Sequence, residues 1–397
     1  MRIRARLRGQ PFSSAEAERE GNYLYSKMLP SVRQGEAKEA SEGQTSEAPA
    51  LNPYFGFEWT VDNQTIGRDV EYFHGAESRQ TLDVMIVGGS VAAHFGNTGL
   101  DELIRLLRAD SSIGARPVRV LGYGRPGYKQ PQQLMLVAFL LGLGFTPDVL
   151  VNLDGFNEAA LANANVEAGV HPAYPSASHW SHLASARQSD REAMDLLYEM
   201  RARQDRAGRL IAWVRDYHLG NSALLSELTL ARLRVLRKQY SRLGARYVKH
   251  LTDSPAPEIR GPPVPTDRGA VRDLVLETWF ESSRSIDALC RARSIPYVHV
   301  LQPTLHDSGS KPLTPEEIES GACGKSSVDG VHYAYPRMRR LGAELRDLGV
   351  CFVDASDVFK NTPETLYHDP CHFGARGNAL LAPRIADAIL EALKSGR

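Results

Sequence analysis

Asp83-Val-Met-Ile-Val-Gly-Gly-Ser90-Val-Ala92 is the stretch whose reading decides the fold. The apolar run Val84 to Val87, closed by a glycine pair, predicts a short buried β-strand. Ser90 follows at the turn. Open α/β sheets hold their ligands at the carboxyl ends of their strands, so this hydroxyl is presented to a cleft. A serine hydroxyl is a weak nucleophile by itself: it needs a base within hydrogen-bond reach and a group that orients the base. Asp369-Pro-Cys-His372 carries a carboxylate and an imidazole three residues apart.

Outward from that strand the chain alternates strand and helix. Strands are expected at 83–88, 117–122, 148–153, 296–301 and 350–354. Helices are expected near 99–109, 132–144, 271–292, 335–347 and 374–394. This alternation predicts a three-layer α/β/α domain of flavodoxin-like type with a five-stranded parallel sheet. We divide the chain into a polar N-terminal extension (1–50), an α/β core (51–159 and 271–397) and a helical insertion (160–270). The extension holds one capping box, Ser13-x-x-Glu16, and then a tether, Arg33 to Pro49, with no periodic apolar face. The aromatic stretch Leu51 to Trp59 is expected to pack along the outside of the sheet.

In the insertion, Met194, Leu197 and Met200, then Leu225, Leu228, Leu236, Tyr240 and Leu243 recur at helical spacing. Gly220-Asn221-Ser222 reads as one helix stopping and the next being capped. The proline-dense Ser254–Pro257 and Gly261–Pro265 read as an extended connector. The insertion is expected over the carboxyl edge of the sheet, as the determinant of specificity.

Lysine plus arginine equals aspartate plus glutamate at 47 each over 397 residues. No net field steers the chain to a polyanion, and a nucleic-acid partner is not expected. The four cysteines are scattered without CxxC spacing and read as free thiols. Leu134 to Phe145 is too short to span a bilayer, which takes roughly 20 apolar residues, and no signal peptide follows the basic N-terminus. Membrane association is not indicated, cytoplasmic placement is the default, and oligomeric state is left open.

Three loops follow the first three core strands, and each offers what acyl transfer needs. The Ser90 amide, the Gly124 amide in Gly122-Tyr-Gly124-Arg-Pro-Gly127, and the Asn157 side chain in Gly155-Phe-Asn157-Glu158 would together receive the charge on a tetrahedral intermediate. Gly124 suits that place because a bare backbone can approach the substrate closely. Asp369 and His372, entering the last helix, supply orienter and base.

Competing readings stand beside each. Gly122-x-Gly124-x-x-Gly127 formally matches a dinucleotide fingerprint, which keeps open a non-catalytic ligand- or nucleotide-binding module. His94, four residues beyond Ser90, reads as packing or a pocket wall, and Cys371 as a small buried filler. Gln302, at a strand end, is a candidate substrate contact. Arg232, Arg234, Arg237, Lys238 and Arg242 read as a solvated helix face, or as a site for an anion if that face lines the cleft. His306, His332 and His368 show no metal-ligand spacing, and no metal or cofactor is expected.

Gly88-Gly89-Ser90, Gly122-x-Gly124, Gly155-x-Asn157 and Asp369-x-x-His372, taken in order, resemble the four blocks of the SGNH hydrolases, also called GDSL-type esterases and lipases. The resemblance covers about 80–158 and 295–395. It implies Ser90 as nucleophile, His372 as base aided by Asp369, and Ser90, Gly124 and Asn157 as the oxyanion hole. The sequence departs from the family at Gly89 and Glu158, where aspartate is common. The expected activity is hydrolysis of a carboxylic ester through an acyl-serine, and the resemblance implies a short acyl group such as acetyl and, as partner, a small-molecule or carbohydrate ester. An O-acyltransferase using the same site is the alternative.

Overall fold

The computed structural model describes residues 49–52, 54–59, 64–74, 80–177, 179, 191–217, 223–253, 261–321 and 325–395. The Ser13 capping box with the tether to residue 48, the 220–222 helix break and the 254–257 connector lie outside the described residues. The chain forms two compact units, one of Pro49–Ser181 with Ile259–Arg397 and the other of Met1–Ala48 with His182–Glu258.

The larger unit opens on an antiparallel hairpin, β1 (Pro49–Asn52) and β2 (Gly56–Trp59), followed by α1 (Gln64–His74). Then come β3 (Leu82–Gly88), α2 (Ser90–Thr98), α3 (Leu100–Ala109), β4 (Val118–Gly124), α4 (Gln132–Gly142), β5 (Val149–Asp154) and α5 (Phe156–Glu167). Two long helices, α6 (Arg191–Asp216) and α7 (Ala223–Asp253), belong to the other unit. The larger unit resumes with α8 (Arg268–Arg291), β6 (Tyr297–Leu301), α9 (Pro315–Ser320), α10 (Lys325–Asp347), β7 (Cys351–Asp354) and α11 (Ala375–Ser395).

Strands β3 to β7 make one sheet, parallel throughout, in the order β4-β3-β5-β6-β7. Helices α2, α3 and α11 pack on one another and on the sheet, while α4, α5, α8 and α10 form a second packed group. With helices on both faces, β3, β5 and β6 are buried at every residue, which is why they are mostly apolar, and the polar Asn152, Asp154 and His299 within them hydrogen-bond to one another. The chain leaves β3 for β4 on one side and returns to β5 on the other. The crevice between the carboxyl ends of β3 and β5 is therefore the topological switch point, where such sheets bind ligands. Ser90 and Asn157 both lie within three residues of it.

Two local expectations are corrected. The segment after β3 is helical from Ser90 itself, because Val91, Ala92 and Phe95 bury one face of α2. Gly99 divides α2 from α3, the ring of Phe95 leaving no room there for a Cβ. Gly155-Phe-Asn157-Glu158 is likewise the start of α5 rather than a loop. Gly155 takes φ +128°, and Glu158 Oε2 accepts its N–H at 3.0 Å, closing the helix start.

In the other unit α6 and α7 run antiparallel, with Gln204 Nε2 donating to Tyr240 Oη at 3.2 Å. They share a core of Ala207, Leu230, Leu233 and Leu236, flanked by Leu210, Ile211 and Tyr240. Arg232, Arg237, Lys238 and Arg242 are exposed. Among the described residues no helix is long and apolar enough to cross a membrane.

Candidate active site

Ser90 is the first residue of α2, so its N–H belongs to the opening turn that has no intrahelical acceptor. Its Oγ lies 2.6 Å from His372 Nε2, across 282 residues of chain. His372 Nδ1 lies 2.6 Å from Asp369 Oδ2. The other carboxylate oxygen, Asp369 Oδ1, accepts the backbone N–H groups of Cys371 at 2.9 Å and His372 at 2.8 Å. Partial burial pushes the Asp369 carboxyl up, but bonding to His372, the imidazole's charge and those two N–H groups outweigh it and hold the pKa at about 2. Asp369 is thus an anion at neutral pH.

The turn carrying Asp369 and His372 is tied down from both sides. Pro370 O accepts from Leu305 N at 3.0 Å and Thr304 Oγ1 at 2.9 Å, in the segment after β6. Just ahead of the turn, the N–H groups of Leu366 and Tyr367 donate to Glu317 Oε1 at 2.8 and 3.0 Å. Glu317 Oε2 accepts from Lys311 Nζ at 2.9 Å, in a pair with both side chains fully buried. The ring of His372 stacks on His94, centroids 4.6 Å apart and planes 20° from parallel, and His368 lies 6.1 Å away in a similar plane. The structure therefore puts His94 against His372 as a packing partner.

Asn157, on the first turn of α5, donates its Nδ2 to Tyr128 O at 2.7 Å. An amide nitrogen has two hydrogens, and one is left for a ligand. A Cβ on Gly89 would sit 2.5 Å from that Nδ2, so glycine is what allows the approach. Gly124 is a glycine for a different reason from the one expected. Its Cβ position is filled by the backbone of Ala92 and Ala93, 2.3–2.8 Å away, so the missing side chain lets β4 pack against α2.

The loop after β4 is held by the aromatic hairpin. Arg125, buried, pairs with Glu58 at 2.5 Å, and Tyr128 Oη donates to Phe57 O at 2.7 Å. Gln132 Nε2 reaches Phe55 O at 2.8 Å. This loop runs seven residues from Gly124 to the start of α4 and does not open a helix, which removes the phosphate-binding geometry of a dinucleotide fingerprint.

Glu158 joins the two loops from below. Its Oε1 accepts from Gln130 N at 2.8 Å, and its Oε2 from Gly155 N. Beside it Asp154 accepts from His299 Nε2 at 2.9 Å, Trp279 Nε1 at 2.8 Å and Asn152 Nδ2 at 2.7 Å. Burial and the charge of Asp154 raise the Glu158 pKa to about 8. Gln302 is buried at the end of β6, with its N–H on Asp154 O and its carbonyl on Tyr335 Oη, and these bonds do not link it to Ser90 or His372. Asp369, Cys371 and His372 hold one potential metal-ligand atom each within 4.8 Å of one another. The imidazole–carboxylate bond already uses two of them, so an ion there would compete with the relay to Ser90.

Sequence reasoning brought Ser90, Asp369, His372 and Asn157 to one rim and missed the supports beneath them. The Lys311–Glu317 clamp had a visible signal, since Thr314-x-x-Glu317 is a capping box whose glutamate is buried. The Arg125–Glu58 pair had none, its partners being 67 residues apart.

No family model matches the chain. No curated protein matches it in sequence. Among solved structures it is similar to a candidate acylhydrolase from Bacteroides fragilis (11% identity, TM-score 0.37), covering 84% of this chain and 99% of that one. It is similar also to a GDSL-like lipase from Bacteroides thetaiotaomicron (11%, 0.38), covering 83% and 98%. A third, LAE5, an alpha/beta hydrolase enzyme from the metagenome of Lake Arreo in Spain, is 13% identical with a TM-score of 0.33, covering 79% and 96%. At these identities and scores nothing about the chemistry of this chain rests on the likeness.

Proposed function

We propose that this chain is a serine esterase of SGNH type that hydrolyses a carboxylic ester through an acyl-serine intermediate. The observation that carries the proposal is the continuous relay Ser90 Oγ, His372 Nε2, His372 Nδ1, Asp369 Oδ2, with both contacts at 2.6 Å.

Ser90 Oγ attacks the ester carbonyl as its proton passes to His372 Nε2, and Asp369 stabilises the imidazolium. The carbonyl oxygen becomes an oxyanion facing the Ser90 N–H and the second hydrogen of Asn157 Nδ2. The N-terminal end of α2 adds its positive dipole. The Gly124 N–H is the third proposed donor. Collapse breaks the C–O bond to the alcohol, which leaves with the proton from His372. A water then repeats the sequence: it gives its proton to His372, attacks the acyl carbon, and Ser90 departs taking the proton back. General-base assistance of this kind contributes about 10²–10⁴-fold. The resemblance to SGNH enzymes extends the reading to a short acyl group, acetyl included, on a small or carbohydrate alcohol.

Incubation with a fluorophosphonate probe followed by peptide mapping tests the proposal, together with turnover of p-nitrophenyl acetate. The adduct is expected on Ser90, and Ser90→Ala is expected to cut kcat by about 10⁴-fold or more. An unlabelled Ser90 in folded protein, or turnover that survives in Ser90→Ala, would refute it.

A further inference from the structure

Ester chemistry at Ser90 leaves the outward face of α7 unused. At 3.6 residues per turn, Leu230, Leu233, Leu236 and Tyr240 point to one side, where they meet α6. Leu224, Leu228 and Val235 lie on the opposite side, and all three are exposed. The same exposed stripe continues as Lys238, Arg242, Arg246 and Lys249, with Arg232 beside it. No aspartate or glutamate stands between Glu227 and Asp253. The stripe is therefore apolar at the hairpin end and cationic beyond it.

The end of α6 enlarges the apolar part. Trp213 and Tyr217 lie one turn apart with ring centroids 6.3 Å apart. Because α6 ends at Asp216 and α7 begins at Ala223, they share one end of the hairpin with Leu224 and Leu228. Exposures there are 48% for Trp213, 68% for Tyr217, 69% for Leu224 and 58% for Leu228. The residues that hold α6 to α7 are already buried between them, and none of these four belongs to that core.

We propose that this hairpin end docks on an anionic lipid surface, with Trp213, Tyr217, Leu224 and Leu228 entering the interface and Arg232, Lys238 and Arg242 meeting the headgroup phosphates. Interfacial helices bury their apolar residues roughly 5–10 Å into the headgroup and acyl boundary. Because Leu224, Leu228, Lys238 and Arg242 share one exposed stripe with Arg232 at its edge, α7 laid along the surface presents them all to it, and the long stems of Lys and Arg reach the phosphates. Tryptophan and tyrosine favour this boundary because one part of each ring is apolar and one edge polar. The chain as a whole has no net charge, so the attraction is local to this face. A nucleic acid would satisfy the cations and leave the apolar end in water, whereas a lipid surface satisfies both.

Co-sedimentation of the full chain with vesicles tests the docking, using pure phosphatidylcholine against phosphatidylcholine containing about 30% phosphatidylglycerol. Partition onto the anionic vesicles is expected to be at least 10-fold stronger, and to weaken when salt is raised from about 0.05 to 0.5 M. The double variant Leu224→Asp with Leu228→Asp, and separately the triple variant Arg232→Glu, Lys238→Glu, Arg242→Glu, are each expected to lower it at least 10-fold. Thermal melts and turnover of a soluble ester report folding and the Ser90 site independently. Equal partition onto both vesicles, no partition at all, or undiminished binding by both folded variants overturns the proposal. A self-association by light scattering that both variants abolish, without vesicle binding, assigns the face to a second copy and overturns it as well.

Discussion

A methyl group on Gly89 would come within 2.5 Å of Asn157 Nδ2 and 3.2 Å of Tyr128 O, the two atoms whose bond orients the amide. Gly89→Ala is therefore expected to swing Asn157 away and lower kcat by about 10²–10³-fold, the usual loss of one oxyanion donor, with KM nearly unchanged. Steady-state kinetics on p-nitrophenyl acetate measure it, and a kcat within threefold of wild type would remove Asn157 from the oxyanion hole. Glu158 tests the other side of the same loop. A neutral Glu158 has a proton to donate, and Gln133 Oε1, buried without a partner, is one amide rotation away from accepting it. With the folded pKa raised from 4.5 to about 8, both states are neutral below 4.5. As pH climbs from 4.5 to 8 the unfolded chain releases this proton and the folded chain keeps it. Stability accordingly falls across that window and levels above it. Glu158→Gln cannot titrate, and its melting temperature is expected to decline less between about pH 5 and 8. Identical slopes in wild type and variant would show that Glu158 is not buried neutral.

Among the elements, the segment from Lys311 to Glu317 carries the most consequence for its size. Lys311→Met would leave the Glu317 carboxylate buried without its cation, and removal of one partner of such a pair costs about 3–5 kcal/mol. Urea unfolding should register that loss, and kcat should drop too, because Glu317 also holds the N–H groups just before the Asp369 turn. A loss under about 1 kcal/mol would mean that the pair contributes little. The sequence made the central strands readable for the reason that they are buried on both faces: Val84–Val87 and Val149–Val151 are unbroken apolar runs. It made α2 unreadable because Ser90, Gly96 and Asn97 are poor helix formers, and only the packing of Val91, Ala92 and Phe95 holds them helical. The β1–β2 hairpin was legible as an aromatic stretch and not as strands. Four residues per strand are too few for an alternation to stand out, and its partners, Arg125, Tyr128 and Gln132, are about 70 residues away. Three short blocks at strand ends and a fourth just before the last helix pointed to the rim, while the buried clamps under it come from long-range pairs that a linear text does not display.

For the molecule as a whole, the chain carries two separate cores. Leu233 is fully buried among Ala207, Leu230 and Leu236, all from α6 and α7. Leu233→Ala is expected to cost that unit about 2–5 kcal/mol. Calorimetry should show one transition moving down while ester turnover at a temperature below it stays near wild type. A uniform shift of all melting, with turnover falling in step, would show the two units to be one cooperative body. The distance in chain between Ser90 and His372 has a consequence in time. Growing at roughly 5–20 residues per second, a ribosome makes the alcohol some 15–60 seconds before the imidazole 282 residues later. Each strand of the five-stranded sheet precedes the imidazole, so a nascent polypeptide can pair that sheet before the contact between Ser90 and His372 is able to form.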